Sequence, residues 1–166
     1  MVADCLLVLL ATEDGTAVAA AHAGWRGLAG VNGRGVLEAV CKSLNAQDPS
    51  NHARPAGKTI AWLGPCIGPT AFEVGAEVKA AFEAHHADAA RCFVSTGQGK
   101  YLADLAGLAR LRLQALGVTQ VYGNDGSAVW CTVGNPAKFF SHRRDAGLSG
   151  NGFGTTGRMG ACVWMD

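Results

Sequence analysis

The sequence predicts an α+β fold, with layered mixed β-sheets and flanking helices, in a single domain spanning residues 1–166. Two observations lead to this class. Apolar residues recur at helical spacing in the middle of the chain, and short apolar runs bounded by turn-forming residues lie around them. These strands and helices do not alternate regularly, as they would in a βαβ repeat. The length is enough for one buried core.

The first two elements are predicted to form a β-hairpin. The apolar runs Cys5–Ala11 and Ala17–His22 are joined by a segment that contains an Asp-Gly pair, which is typical of a hairpin turn. If the pairing is symmetric about that pair, His22 lies opposite Leu7. Cys5 and His22 then share one face of the sheet as diagonal neighbours, with Cα atoms about 7 Å apart.

Three helices are predicted from apolar stripes at helical spacing. The stripes comprise Val36, Val40 and Leu44; Val74, Val78 and Phe82; and Leu102, Leu105, Ala109, Leu113 and Leu116. Asn32 precedes the first stripe. Thr70 and Glu73 match a capping box at the start of the second helix. Gly117 is a stop signal at the end of the third.

The remaining elements are short strands and loops. Strands are predicted at Thr59–Leu63, Arg91–Ser95, Val118–Tyr122, Ala128–Thr132, Phe139–His142 and Met159–Trp164. The segment 64–69 holds two prolines and two glycines and is predicted to be a rigid turn, and the polar segment 48–57 a surface loop. Because the first strand begins at Cys5 with no lead-in, we expect an N-terminal part to precede it.

Composition excludes several classes of protein. Lys and Arg number 14 against 13 Asp and Glu, which gives a formal net charge of +1, and 49% of residues are hydrophobic. A disordered tail needs lower hydrophobicity and higher net charge, and a nucleic-acid binder needs a basic stripe. The longest all-apolar run, Cys5–Ala11, is much shorter than the roughly 20 residues of a membrane-spanning helix. The six cysteines form no C-x-x-C pair. These features predict a soluble cytoplasmic protein that binds neither nucleic acid nor membrane.

Cys5 and His22 are the first candidates for chemistry. A thiolate and an imidazole at this separation suit a shared metal ion, because each lies about 2–2.3 Å from Zn²⁺ when bound. The alternative, which spacing alone favours, is a core cysteine and a turn histidine. His52, His85 and His86 are predicted to be structural. Residues 152–157 spell G-x-G-x-x-G, but nothing helix-like follows, so we interpret them as a glycine-rich loop rather than a dinucleotide fingerprint.

Arginines are the second candidates. Arg143-Arg144-Asp145 follows an apolar segment, and Arg158 lies nearby in the sequence. Guanidinium groups match phosphate oxygens, so these residues are candidates for an anion pocket. A solvated turn in which Arg and Asp pair locally is equally compatible with the pattern.

Taken together, these motifs resemble the YfiH-like family. Ala3-Asp4-Cys5 followed by Leu6–Leu10, and His22-Ala23-Gly24-Trp25-Arg26-Gly27, are similar to its two most characteristic segments. Further similar segments are Leu63-Gly64-Pro65-Cys66-Ile67-Gly68-Pro69, Phe72-Glu73-Val74-Gly75, Tyr101-Leu102 with Asp104-Leu105, Cys131-Thr132, and Phe139-Phe140-Ser141 with Arg143-Arg144-Asp145. Members are described as multicopper polyphenol oxidases or laccase-domain proteins, and as purine nucleoside phosphorylases with adenosine deaminase activity.

The resemblance implies a YfiH-like α+β fold and a zinc site made by one Cys and two His. Cys5 and His22 match two of these ligands and are the implied catalytic residues. The other His lies upstream in the family, in a Gln-Val-His-Gly-like segment, so the resemblance implies an N-terminally truncated fold. His142 stands where a Tyr is usual and is an alternative third ligand.

Three hypotheses about function result. The first is a zinc-dependent purine nucleoside phosphorylase with adenosine deaminase-type activity, acting as a monomer or homodimer on a purine nucleoside and phosphate, with Arg26, Arg143 and Arg144 as phosphate-binding candidates. The second is a copper-using polyphenol oxidase, against which five histidines and the absence of a His-x-His pair argue. The third is a non-catalytic, incomplete fragment whose Cys5 and His22 hold metal loosely or not at all.

Overall fold

The structure is a computed structural model that describes residues 1–46, 58–146 and 156–165. The predicted loop at 48–57 and residues 152–155 of the glycine-rich segment lie outside the described residues. The strands are β1 (Leu6–Thr12), β2 (Val18–Ala23), β3 (Thr59–Leu63), β4 (Glu73–Gly75), β5 (Phe93–Gly97), β6 (Lys100–Ala103) and β7 (Gln120–Gly123). The α-helices are α1 (Trp25–Ala29), α2 (Val36–Ala46), α3 (Ala76–Glu83), α4 (Leu105–Ala115) and α5 (His142–Asp145). This is the mixed α+β architecture that the sequence predicts.

A four-stranded mixed sheet carries the predicted hairpin. Its order is β2-β1-β3-β7, in which β1 runs antiparallel to β2 and β3, and β3 runs parallel to β7. Leu6, Val8 and Leu10 are at most 1% exposed, whereas the alternate residues Leu7 and Leu9 are only half-buried. Since successive side chains of a strand point to opposite faces, one face of β1 packs into the core and the other does not.

The second sheet has three antiparallel strands in the order β4-β6-β5 and leads into helix α4. Asp104 caps α4, because its side chain accepts a hydrogen bond of 2.8 Å from the Gly107 N–H. The helix ends before Gly117, whose φ of +80° suits a residue without a Cβ. Leu105, Leu108 and other residues of α4 are buried in the core.

A buried ion pair joins α4 to α2. Arg112 is 5% exposed, and its Nε lies 3.0 Å from Oε1 of Glu38. Its Nη2 also donates to the carbonyl of Gly33, while Oε2 of Glu38 accepts a hydrogen bond of 2.6 Å from the Gly35 N–H. The pair therefore fixes the start of α2 against α4 and the loop before it.

The capping-box prediction is wrong. Glu73 lies in β4, where it pairs with Leu102 of β6, and Thr70 lies in the preceding turn. The helix with Val78 and Phe82 begins only at Ala76. Leu102 likewise belongs to a strand and not to the third helix. It lies in β6, the central strand of the second sheet, which pairs with β4 on one side and β5 on the other.

The last three predicted strands are also wrong. Residues 128–130 form a 3-10 helix, and residues 139–140 have no regular structure. Ser141 ends the apolar segment by capping α5, accepting a 3.1 Å hydrogen bond from the Arg144 N–H. Met159 makes an isolated antiparallel bridge with Val2, and the described residues after it form no strand.

The described ranges contain no helix that could span a membrane. None of the helices there combines the length and the apolar character that crossing a bilayer requires.

Candidate active site

The hairpin brings Cys5 and His22 together as predicted from its register. His22 pairs with Leu7, and Leu6 pairs with Ala23. A Cβ atom built on Gly24 would lie 2.9 Å from Cys5 Sγ and 3.7 Å from His22 Nε2. Because glycine has no Cβ, the space beside the sulfur and the ring nitrogen remains open. We call this space the Gly24 cradle.

The two side chains of the cradle differ in their surroundings. Cys5 is half-buried, whereas His22 is exposed. Burial raises the pKa of the Cys5 thiol, and the nearby Asp4 carboxylate raises it further. In the absence of a cation the thiol form is therefore favoured, and a metal ion bound there must displace the thiol proton.

A cavity of about 450 Å³ opens beside the cradle. Its residues come from the N-terminal segment, the end of β2, the turn before β4, the start of α4, α5 and the C-terminal segment. They are Met1, Val2, Ala3, Asp4, Cys5, His22, Trp25, Ile67, Phe72, Leu105, His142, Arg143 and Arg158. The cavity therefore combines apolar walls, two aromatic rings and two guanidinium groups with a thiol, a carboxylate and two imidazoles. Its size is in the range usual for small-molecule sites.

Arg143 and Arg26 lie near the cradle. The Arg143 guanidinium donates to the Glu73 carbonyl at 3.3 and 3.4 Å, and its Cζ lies 6.0 Å from the centre of the Phe72 ring. Arg26 lines an adjacent depression of about 290 Å³ that Cys5 and His22 also border. Its Cζ stacks 4.4 Å from the Trp25 ring centroid.

Arg144 is not among the cavity residues. Its guanidinium donates to the carbonyls of Thr132 and Phe139 at 2.9 and 3.1 Å and to the Asp145 carboxylate at 2.8 Å. Arg144 and Asp145 therefore form the locally paired turn that the sequence left open as an alternative. The two neighbouring arginines therefore differ in position: Arg143 lines the cavity, whereas Arg144 holds α5 in place.

A third metal ligand is not present in the described geometry. In the parts of the chain that the structure covers, no three His, Cys, Asp or Glu side chains are grouped to hold a metal ion. His142 lines the same cavity as Cys5 and His22 but is exposed at the start of α5. Cys66 is 1% exposed, and burial raises its pKa to about 12, so it remains a protonated core residue.

Sequence reasoning missed the part that Asp4 and Phe72 play in the cavity. Each belongs to a motif of the family resemblance, but neither has a local pattern that points to the site. Asp4 bonds to Thr132 and Arg143, which lie 128 and 139 residues further along the chain. Only the tertiary fold could reveal these contacts.

Comparison with known proteins assigns the chain to a family. All of residues 1–166 match the model of the family described as "Multi-copper polyphenol oxidoreductase laccase". The chain is 46% identical to a protein named "Purine nucleoside phosphorylase PA4543" from Pseudomonas aeruginosa, over 100% of this chain and 59% of the relative. It is 48% identical to "Purine nucleoside phosphorylase YfiH" from Escherichia coli, over 99% of this chain and 58% of the relative.

Solved structures give the same result. A crystal structure of the Neisseria meningitidis protein NMB0706 has a TM-score of 0.76 and 48% identity, covering 87% of this chain and 53% of that one. The Bacillus licheniformis protein YfiH has a TM-score of 0.69 and 26% identity, covering 87% and 51%. The chain thus spans a little over half the length of the relatives it matches. It belongs to the YfiH-like family of multi-copper polyphenol oxidoreductase laccase proteins.

Proposed function

We propose that this chain carries the site of a zinc-dependent purine nucleoside phosphorylase with adenosine deaminase-type activity. The observation that carries the proposal is the meeting of Cys5 and His22 at the Gly24 cradle, on the edge of a cavity that also holds Arg143. The relatives named purine nucleoside phosphorylase support the reaction class. All six cysteines are free, which supports a reducing, cytoplasmic setting.

The residues of the cradle suit zinc. Thiolate and imidazole are two of the three commonest zinc ligand types, and the missing Cβ of Gly24 leaves room beside both side chains. Cys5 and His22 would hold the ion, with one further ligand needed for the usual three of a catalytic site. When bound, zinc supplies Lewis acidity.

The side chains of the cavity suit a nucleoside and phosphate. Trp25, Phe72 and Leu105 offer apolar surface for a purine ring. The Arg143 guanidinium uses two of its five N–H groups on the Glu73 carbonyl, so the others are free to donate to phosphate oxygens. In phosphorolysis a phosphate oxygen bonds to the ribose carbon as the bond from that carbon to the purine nitrogen breaks. Holding phosphate beside the ribose is therefore the task of Arg143, Arg158 and Arg26.

A copper-using polyphenol oxidase is the second candidate, because the description of the family names that chemistry. Cysteine and histidine also bind copper. A blue-copper site together with a multicopper cluster needs more imidazoles than the five histidines of this chain. The proposal therefore favours zinc.

The test measures the bound metal and the enzymatic activity of the same protein preparation. Protein purified without added metal should contain zinc in excess of copper and should release hypoxanthine from inosine only when phosphate is present. Ammonia release from adenosine tests the deaminase activity. The variant Cys5→Ala should lose both metal and turnover, whereas Cys162→Ala, which removes an exposed thiol, should lose neither.

Three results would contradict the proposal. Stoichiometric zinc in Cys5→Ala would make Cys5 a packing residue, and copper with phenol oxidation would favour the second candidate. Metal-free, inactive wild-type protein would favour the incomplete fragment. Loss of bound metal together with activity on changing His142 to Ala would identify His142 as the third ligand. Metal and activity that survive the change would require a third ligand other than His142.

A further inference from the structure

The carboxylate of Asp4 joins separate parts of the cavity wall. Its Oδ1 accepts a 2.6 Å hydrogen bond from Thr132 Oγ1, and its Oδ2 accepts a 2.7 Å bond from the backbone N–H of Arg143. Its carbonyl oxygen accepts a 2.9 Å bond from the Ile67 N–H. Because Asp4 directly precedes Cys5, these bonds connect the Gly24 cradle to α5.

The hydrogen bond from the Arg143 N–H to Asp4 satisfies a backbone donor at the start of α5. The first N–H groups of a helix have no partner within the helix, and Asp4 accepts from one of them. The Arg143 side chain is held separately by the Glu73 carbonyl and the Phe72 ring. Main chain and side chain are thus fixed from different segments, so the guanidinium has a defined direction at the cavity wall.

We propose that Asp4 is a positioning residue that holds Arg143 at the cavity wall, so that its guanidinium can receive a phosphate oxyanion. The receipt of phosphate rests on the function proposed above. The holding of α5 rests on the hydrogen bonds alone. Asp4 acts in this role through the hydrogen bonds that its two carboxylate oxygens accept from Thr132 and Arg143.

Three variants distinguish the effect of the Asp4 hydrogen bonds from the effect of its charge and from a general loss of stability. Asp4→Ala removes both side-chain bonds. Asp4→Asn removes the charge but can keep both bonds, since its amide oxygen can accept from the Arg143 N–H and its amide N–H can donate to Thr132 Oγ1. Thr132→Val removes only the bond to Thr132 and is the matched control for a loss of stability.

The experiment uses the 166-residue chain with inorganic phosphate as the probe, titrated by calorimetry, and follows hydrogen exchange at the Arg143 amide by NMR. We expect Asp4→Ala to bind phosphate about tenfold more weakly or worse, with a similar acceleration of Arg143 amide exchange. Asp4→Asn should keep wild-type amide protection and bind phosphate at least as tightly, because a negative charge is gone. Thr132→Val should lower the unfolding midpoint while phosphate affinity stays unchanged.

Two outcomes would overturn the inference. One is wild-type amide exchange in Asp4→Ala. The other is weakened phosphate binding with faster Arg143 exchange in Asp4→Asn, and it decides the matter even if Asp4→Ala does not fold. If only the proposed function is wrong, the wild-type protein binds no phosphate. Hydrogen exchange at the Arg143 amide would still show whether Asp4 holds α5.

Discussion

The substitution Gly24→Ala tests the Gly24 cradle with a single methyl group. The new Cβ would lie 2.9 Å from Cys5 Sγ and 3.7 Å from His22 Nε2. A zinc ion bound to both atoms must lie about 2.3 Å from the sulfur and about 2.0–2.1 Å from the nitrogen. A Cβ atom only 2.9 Å from Cys5 Sγ forces the sulfur to move, and this movement disturbs the ligand pair. Gly24 has φ −65° and ψ 158°, which alanine adopts without strain.

We therefore expect a loss of metal affinity with little loss of stability. Zinc affinity should fall about 10–100-fold, or about 1.4–2.7 kcal/mol. The urea midpoint should change little, because alanine lowers the entropy of the unfolded chain by about 0.4–1 kcal/mol and this offsets the movement of Cys5.

The assay is competition with a chromogenic zinc chelator in metal-free buffer, beside urea unfolding of the metal-free protein. Gly27→Ala is the matched control, because its Cβ would meet only the His22 carbonyl oxygen, at an ordinary 3.5 Å. Gly27→Ala should bind zinc as the wild type does. Wild-type zinc affinity in Gly24→Ala would refute the cradle as the metal site.

Three further predictions concern the ion pair and the two neighbouring arginines. Arg112→Ala leaves Glu38 without its cation and should lower the free energy of unfolding by about 2–4 kcal/mol in urea titrations. Burial opposes the charge of Glu38, but the hydrogen bonds from Arg112 and Gly35 and the charge of Arg112 lower its pKa below the usual 4.5. The stability that Glu38 contributes is therefore present above pH 4.5 and lost as pH falls through the lower folded value, so Glu38→Gln should flatten the acid side of a plot of urea midpoint against pH. Arg143→Gln should weaken phosphate binding and change the urea midpoint little, because its bonds to the Glu73 carbonyl are long and exposed. Arg144→Gln, which loses shorter and partly buried hydrogen bonds, should lower the free energy of unfolding by about 1–3 kcal/mol and leave phosphate binding intact. Intact phosphate binding in Arg143→Gln together with weakened phosphate binding in Arg144→Gln would contradict these separate roles.

Local patterns predicted the parts of the fold that are local in sequence. The Asp-Gly turn sets the register of the hairpin, and the structure confirms that His22 pairs with Leu7. Strand β3 has the predicted bounds, Thr59–Leu63, because its buried residues alternate with half-buried ones. Helix α4 ends at the predicted place, since Gly117 takes a conformation with positive φ.

The misassigned segments are those whose structure depends on distant partners. Phe139 and Phe140 form an apolar pair that suggests a strand, yet the following residues form α5, because Ser141 caps it and Asp4 accepts a hydrogen bond from Arg143. Ser141, a residue type favoured at the start of helices, is the local signal that could have indicated this helix. No local signal could have shown that Arg143 reaches the cavity and Arg144 does not.

The long sequence separation of the cavity contacts has a consequence for the order of folding. The hairpin pairs residues close in sequence, whereas Asp4 reaches Thr132 and Arg143 across 128 and 139 positions, and Val2 pairs with Met159. Closing long loops is slow and entropically costly, so contacts of high contact order form late. The hairpin with Cys5 and His22 can therefore form early, and the wall with Arg143 joins it among the last steps.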